Sequence, residues 1–481
     1  MNRRSASSSS EQASHAKTAT ATTADGEGLP ALGRFSWHSP QSVSSTSVSV
    51  NLPSYIRPLS AAISQVDLDF LSVKGAFKLP RGSVHKALLD TYLRFVHPYM
   101  LVLDREDLLC SFHSRPYLHV DGEADPRLSL LLYWAVLFAA SSVRFPASPH
   151  PILSSILIRN LPQHVNISVL NEMGYDSRPV ARRALFWRTK LLYDLHIEQD
   201  PVILLQAVLL MSYRFKETDN TRESCRVLQF STSFVQGIDL PGLIRNSVPS
   251  TKRQKLLRKL WWCCFVRDTL VVEQLMAPSK TKVEECDIPL LTLDDFDVSQ
   301  DSNSWVRTSA IIYISQVQLC IYVNRVLETR TSVAALTRPD SHLSYGAPEA
   351  AVSHLLARKI RMYDVNLTNW LKKLSGDATL PPVHTDETFP GDPSLQLQRI
   401  LLHMTYLVGL SILHRPQVLP SKSEVMLTTH VDISIRMLSK DRMHYVATRT
   451  TDLAEVILLL HFSGYMPPYR YIPHCFATFS C

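Results

Sequence analysis

The 481-residue sequence predicts an all-α protein, a large multi-helix body behind a disordered N-terminal tail. Three observations predict it. Apolar residues recur at three- and four-residue spacing, with no sustained two-residue alternation and no internal repeat. Gly and Pro fall between the periodic segments, not in the tight turns that join strands. Residues 1–60 hold fifteen Ser with many Thr and Ala and few aromatics. Such a stretch cannot bury enough apolar surface to offset its ordering entropy. Residues 1–62 are therefore expected to be tail and residues 63–481 helical body.

Order is expected to begin near Ile63 to Phe77. Pro80-Arg81-Gly82-Ser83 makes a turn with Ser83 as N-cap, and a helix follows over His85–Val96 with Leu88, Leu89, Tyr92, Leu93 and Val96 on one stripe. His97-Pro98 ends it, because the residue before proline is pushed out of the helical region. Leu101–Leu103 reads as extended, and Asp104 caps a short helix through Leu109. Longer helices are expected at Pro126–Val143, Arg178–Leu195, Asp200–Tyr213, Thr221–Gly237, Thr251–Leu275, Val306–Thr329 and Glu349–Leu374. Pro201 suits the first helical position after Asp200. Asp377–Pro393 reads as a loop. Leu395–Leu413 is helical up to the breaks at Pro416 and Pro420, and Glu424–Leu438 and Val446–Tyr465 are the last helices.

The full chain is 45% hydrophobic, enough for a substantial core, and its net charge of +7 is only mildly basic. The start MNRRSASSSS has no apolar signal core. The apolar runs Leu128–Val143 and Pro201–Tyr213 fall short of the roughly 20 residues that span a bilayer, so no membrane contact is expected. None of the eight Cys forms a C-x2-C pair, and all read as reduced, mostly core thiols. No phosphate-binding glycine loop, H-E-x-x-H or G-x-S-x-G is present. His97, His113 and His119 with Cys110 and Asp121 match no closed zinc geometry. His474-Cys475 suggests no oxyanion donor. Catalytic residues and metal ligands are thus expected to be absent.

The most unusual segment is Lys252–Asp268, KRQKLLRKLWWCCFVRD. Leu257, Leu260, Trp261, Cys264 and Phe265 form an apolar stripe. Lys252, Arg253, Lys255, Arg258 and Lys259 crowd its start. Phosphate contact is one reading; a core helix with a solvated basic start is the expected one. Asp268 falls on the buried side and needs a cationic partner.

From Arg258 the chain reads RKLWWCCFVRDTLVVEQLMAPSKTKVEECDIPLLTLDDFD. This resembles the middle homology region of fungal-specific transcription factors, above all the cutinase transcription factor branch. The positions that fit include Trp261, Trp262, Arg267, Asp268, Cys286, Asp287, Pro289, Asp294, Asp295 and Phe296. Met276-Ala277-Pro278 replaces the family's Gly-Arg-Pro. Upstream, Tyr92–Leu109 resembles the region's opening segment through His97, Pro98, Asp104 and Arg105. Lys190–Ser212 resembles its helix pair through Asp200, Pro201 and Gln206. Downstream, Leu401–Pro416 matches at His414, Arg415 and Pro416, which makes Arg415 a candidate counterion for Asp268, with Arg267 the alternative. The resemblance is strongest over residues 75–420. Gly237-Ile238-Asp239-Leu240 departs from it, because the family's histidine after Leu240 is missing.

The resemblance implies the large regulatory domain of fungal zinc-cluster transcription factors, hence a nuclear regulator of a metabolic or secondary-metabolite gene set. Its partners would be DNA, directly or through a cluster-bearing regulator, the transcription machinery, and a small apolar effector. The family's cluster holds zinc through six thiolates, whereas the first Cys here is Cys110. Zinc is expected only if a further N-terminal exon supplies that cluster. The alternative expectation is an interaction or ligand-sensing module that titrates another regulator.

Overall fold

The computed structural model describes residues 52–112, 127–143, 167–213, 234–249, 251–275, 287–296, 298, 304–336, 349–381, 392–419, 432–460 and 462–467. Thirteen α-helices and three 3-10 turns account for most of them. The extended pairing among the described residues is one isolated parallel bridge, Ile56 to Leu128.

The first half is built on α4 (Leu130–Ser141), which is buried at all twelve residues. A helix without a polar face must be covered on every side. Three neighbours pack on α4: α2 (Gly82–Phe95), α6 (Arg178–Asp194) and α7 (Pro201–Met211). Helix α1 (Gln65–Val73) starts at Ser64, whose hydroxyl accepts from the Asp67 amide at 3.1 Å. The loop after it docks through Trp134, whose Nε1 donates to the Ala76 carbonyl at 2.8 Å. Short helices α3 (Arg105–Phe112) and α5 (Ile167–Glu172) complete this half.

The second half is built on α12 (Pro393–Val418), packed by α10 (Ser304–Leu336), α11 (Glu349–Lys372) and α13 (Ile433–Leu459). Between the halves run α8 (Leu240–Asn246) and α9 (Lys252–Leu275), and α9 packs against α10. Residues Ser304–Arg330 of α10 have the length and mean hydropathy, 1.3, to cross a bilayer. Of that apolar window 67% is buried in the protein, as in a core helix.

Several boundaries differ from the sequence reading, each for a local reason. Ile56, on the tail side of residue 63, is 2% exposed and part of the core. Ser83 is the second residue of α2, not its cap, and its hydroxyl reaches Glu172 at 3.2 Å. Helix α8 was not expected; Asp239, at φ 46°, caps it by accepting from the Gly242 amide at 3.1 Å. Helix α12 continues through Pro416 to Val418, since a proline in the last turn forfeits only one ladder bond. The expected break between Leu438 and Val446 is continuous helix in α13. The polar run reads as a loop, but Ser439 faces buried His414 on α12 and Arg442 faces buried Asp364 on α11. The helix expected at Thr221–Gly237 lies outside the described residues up to 233, as do the start of the Glu424 helix and most of the 377–393 loop.

Helices α10 and α12 touch at Gly409, where an added Cβ would stand 3.0 Å from the Val323 methyl. Gly409→Val is expected to lower the unfolding free energy by about 1–3 kcal/mol through overpacking. Urea denaturation with an unchanged midpoint would contradict this helix contact.

Candidate functional site

The residues singled out in the sequence gather mainly around the first half of α9. The extended segment Met100–Asp104 leaves backbone groups buried without ladder partners, and side chains satisfy them. Gln206 on α7 donates Nε2–H to the Val102 carbonyl at 2.6 Å. His97 Nε2 lies 3.1 Å from the Leu103 carbonyl, which can only accept, so Nε2 carries the proton. Burial pushes the His97 pKa down to about 4, which keeps the ring neutral. Asp104 accepts from the amides of Glu106 (3.1 Å) and Asp107 (3.2 Å), capping α3, while its other oxygen takes a hydrogen bond from buried Lys259 at 3.1 Å. Lys252 adds contacts to Asp104, at 3.7 Å, and to Asp107.

The next turn of α9 holds a second segment. Arg258 donates to the Leu290 carbonyl at 2.7 Å and pairs with Asp295 at 2.9 Å. Asp295 also accepts from the Thr292 amide at 2.8 Å. Trp262 Nε1 donates to the Pro289 carbonyl at 2.9 Å. Trp261, Trp262 and Phe265 form one aromatic cluster, with the two indoles perpendicular at 4.6 Å. Of the crowded basic residues, Lys252, Arg258 and Lys259 are therefore committed to carboxylates of this chain.

Several of the remaining motif residues also make contacts within the scaffold. Asp200 caps α7 by accepting from the Val202 amide at 2.8 Å, with Pro201 in the first turn. Arg105 lies over the Trp305 ring at 5.8 Å. Pro98 and Pro416 are buried. Asp287, Pro289 and Asp294 are exposed, Phe296 is half-buried, and Cys286 lies outside the described residues. Arg267 is 1% exposed, donates to the Ser212 hydroxyl at 2.8 Å and stacks over Tyr213 at 5.8 Å. Asp268 is buried, 8% exposed. The described Cys110, Cys263, Cys264 and Cys320 are free thiols. Burial pushes Cys263 up to about 11, which leaves it unreactive. No group of three His, Cys, Asp or Glu among the described residues is placed to hold a metal.

One constellation escaped the sequence reading. His414, fully buried, has Nε2 at 3.1 Å from Asp364 and Nδ1 at 3.0 Å from the Ser439 hydroxyl. The order Ser–His–Asp resembles a nucleophilic triad, but the ring is reversed, since a general base meets serine through Nε2. Ser439 is 0% exposed, so no substrate reaches it. Arg442 grips Asp364 with two hydrogen bonds, at 2.7 and 2.9 Å. Burial alone would raise the Asp364 pKa; the bonds from His414 and Arg442 outweigh it and hold the carboxyl low. The cluster ties α11, α12 and α13 together. His414 stood out in the sequence as a family-type position, but its partners carried no signal beyond the polar run Ser439–Tyr445.

A groove of about 690 Å³ opens between α10 and α11 beside Leu290. A second cavity, under Tyr99 and Val266, is only about 20 Å³, room for one water at most.

The fungal specific transcription factor domain matches residues 89–375, more than half of the sequence. The chain belongs to this family. It is 29% identical over 429 residues to cutinase transcription factor 1 beta of Fusarium vanettenii, covering 84% of this chain and 45% of that protein. It is 28% identical over 407 residues to transcription factor cpaR of Aspergillus oryzae, covering 81% of this chain and 62% of the relative. Over 206 residues it is 25% identical to the fusaric acid cluster transcription factor FUB12 of Gibberella moniliformis, covering 43% of this chain and 26% of the relative. The chain spans about half the length of the first two curated relatives it matches. No solved structure matches it.

Two substitutions check this arrangement. Asp104 has its pKa lowered: burial raises it, but Lys259 and Lys252 outweigh burial. A depressed carboxylate contributes stability above its unfolded pKa, about 3.9, and loses it as pH falls through the lower folded value. Asp104→Asn is therefore expected to cost about 3 kcal/mol at pH 7, with the gap to the parent protein closing below about pH 4. Unfolding curves with a pH-independent gap would contradict the pairing. Arg442→Met leaves Asp364 buried without its guanidinium and should cost about 3 kcal/mol; a loss under about 0.5 kcal/mol would rule out that role.

Proposed function

We propose that this chain is the regulatory body of a fungal transcription regulator, acting in the nucleus on a metabolic or secondary-metabolite gene set. The observation that carries the reading is that the family match spans the α2–α11 region, where the family-type residues work as scaffold. The relatives' names, for a cutinase regulator and a fusaric acid cluster regulator, support the metabolic assignment. The chain acts by binding rather than by catalysis, a reading supported by its family and relatives, which are transcription factors, and by the sealed, ion-paired state of the triad-like cluster among the described residues. Contact with DNA, and any zinc that serves it, comes from a cluster-bearing segment or partner. The transcription machinery and a small effector are its other partners.

The second reading, a module that titrates another regulator away from DNA, is favoured by one observation. The basic start of α9 is largely consumed by Asp104, Asp107 and Asp295, so it offers no continuous cationic stripe to phosphates. Chromatin occupancy of the endogenous protein, tagged at its C terminus, separates the two. Discrete promoter peaks with altered transcripts of the adjacent genes on deletion are expected. Absence of peaks where the protein is abundant would overturn the regulator reading in favour of the titrating module.

A further inference from the structure

Helix α11 turns one face to the core and leaves another uncovered. Its inner face carries Ile360, Tyr363, Asp364, Leu367 and Trp370, all buried. Its outer arc carries Leu355, Met362 and Val365, three apolar side chains each about half exposed. Steps of seven and three residues keep these three on one side of the helix. Single exposed hydrophobic residues are ordinary on a protein surface; here a neighbouring helix extends the set. Arg361 donates to Asp432 at 3.0 Å and to the Ser434 hydroxyl at 2.6 Å, which fastens the middle of α11 to the start of α13. Ile433, between those two partners, is 73% exposed, and Met437, one turn on from Ser434, is 62% exposed. Val365 stands one turn on from Arg361. Both helices advance the same way along this seam, because Arg442 meets Asp364 and Thr368 further along. The apolar patch therefore continues from α11 onto α13. Its two methionines have flexible thioethers that adapt to the shape of a partner.

The charge on the α11 arc has one sign. Arg358 and Lys372 are exposed there, and neither belongs to an ion pair of the described residues. No carboxylate among the described side chains of α11 answers them: Asp364 points inward, held by His414 and Arg442. On α13, Asp432 is taken up by Arg361, and exposed Lys440 stands next to exposed Asp441.

These features narrow the occupant. A second copy of the chain fits poorly, since a symmetric contact would set one cationic arc against another. Nucleic acid would use the cations and leave Leu355, Met362 and Val365 facing water. An amphipathic helix with acidic flanks uses both, its apolar stripe on the patch and its carboxylates toward Arg358 and Lys372. We propose that the outer face of α11, with the start of α13, docks an acidic amphipathic helix of a partner protein. The surface serves the chain equally as a promoter-bound regulator and as a titrating module.

The test uses the purified full chain without DNA, so its result is independent of promoter occupancy. The probe is a fluorescein-labelled synthetic helix of about five turns, with Leu at three- and four-residue spacing and Glu elsewhere, followed by fluorescence anisotropy. It is expected to bind at least about tenfold more tightly than a peptide of the same composition in shuffled order, and than one bearing Lys for Glu. Met362→Gln with Val365→Gln should weaken it by about tenfold. Arg358→Glu with Lys372→Glu should do the same, and the binding that remains should lose most of its salt dependence. Val66→Gln, at an exposed valine on α1, should change nothing. Circular dichroism of every variant should match the parent, because all five side chains are exposed. Equal binding of ordered and shuffled peptides, no binding of the acidic one, or an affinity untouched by both pairs of substitutions would overturn the proposal. Binding of phosphatidylserine vesicles in place of the peptide would also overturn it and make the face a lipid contact.

Discussion

Two helices buried on almost every face set the terms for this fold. Neither α4 nor α12 offers a broad polar stripe to water, so each has to be surrounded before it is stable. The connecting segments are thereby drawn against the helices and lose solvent for their own peptide groups. Buried peptide groups need partners, and the polar side chains of the core supply them. Gln206, His97, Trp134 and Trp262 each bind one main-chain carbonyl of a connector. The hydrophobic demand of two helices thus explains why polar residues are spaced as they are through the rest of the chain.

The helical class was legible because apolar spacing is a local property, and α6, α7 and α9 begin within a residue or two of where spacing and caps put them. The errors came from residues whose character is decided by distant neighbours. Ser439 and Arg442 look like loop polarity until His414 and Asp364 are brought against them from residues 25 and 78 positions away. Asp239 gave a readable signal, an Asp ahead of Leu-Pro, but its left-handed backbone is unusual for a non-glycine residue and hid the helix start. The groove could not be read at all. It exists only because stripes from two helices meet, and neither stripe is exceptional alone.

The family-type residues record how the scaffold is fastened, not what the protein recognises. Asp104 caps a helix and holds a lysine; Asp295 orders its own turn and holds an arginine. A carboxylate used in this way contributes position rather than chemistry. The likeness to regulators of unrelated metabolic genes is understandable on this basis.

The docking of residues 289 and 290 on α9 shows how that division works at atomic level. Arg258 and Trp262 bind the carbonyl oxygens of Leu290 and Pro289 and make no demand on the side chains those residues carry. Leu290 nevertheless stands at the groove, 44% exposed. Its side chain is free to be exchanged while its backbone stays fastened. The residues at the rim of the groove can therefore change one substitution at a time while the main-chain bonds that fasten the segment to α9 stay in place.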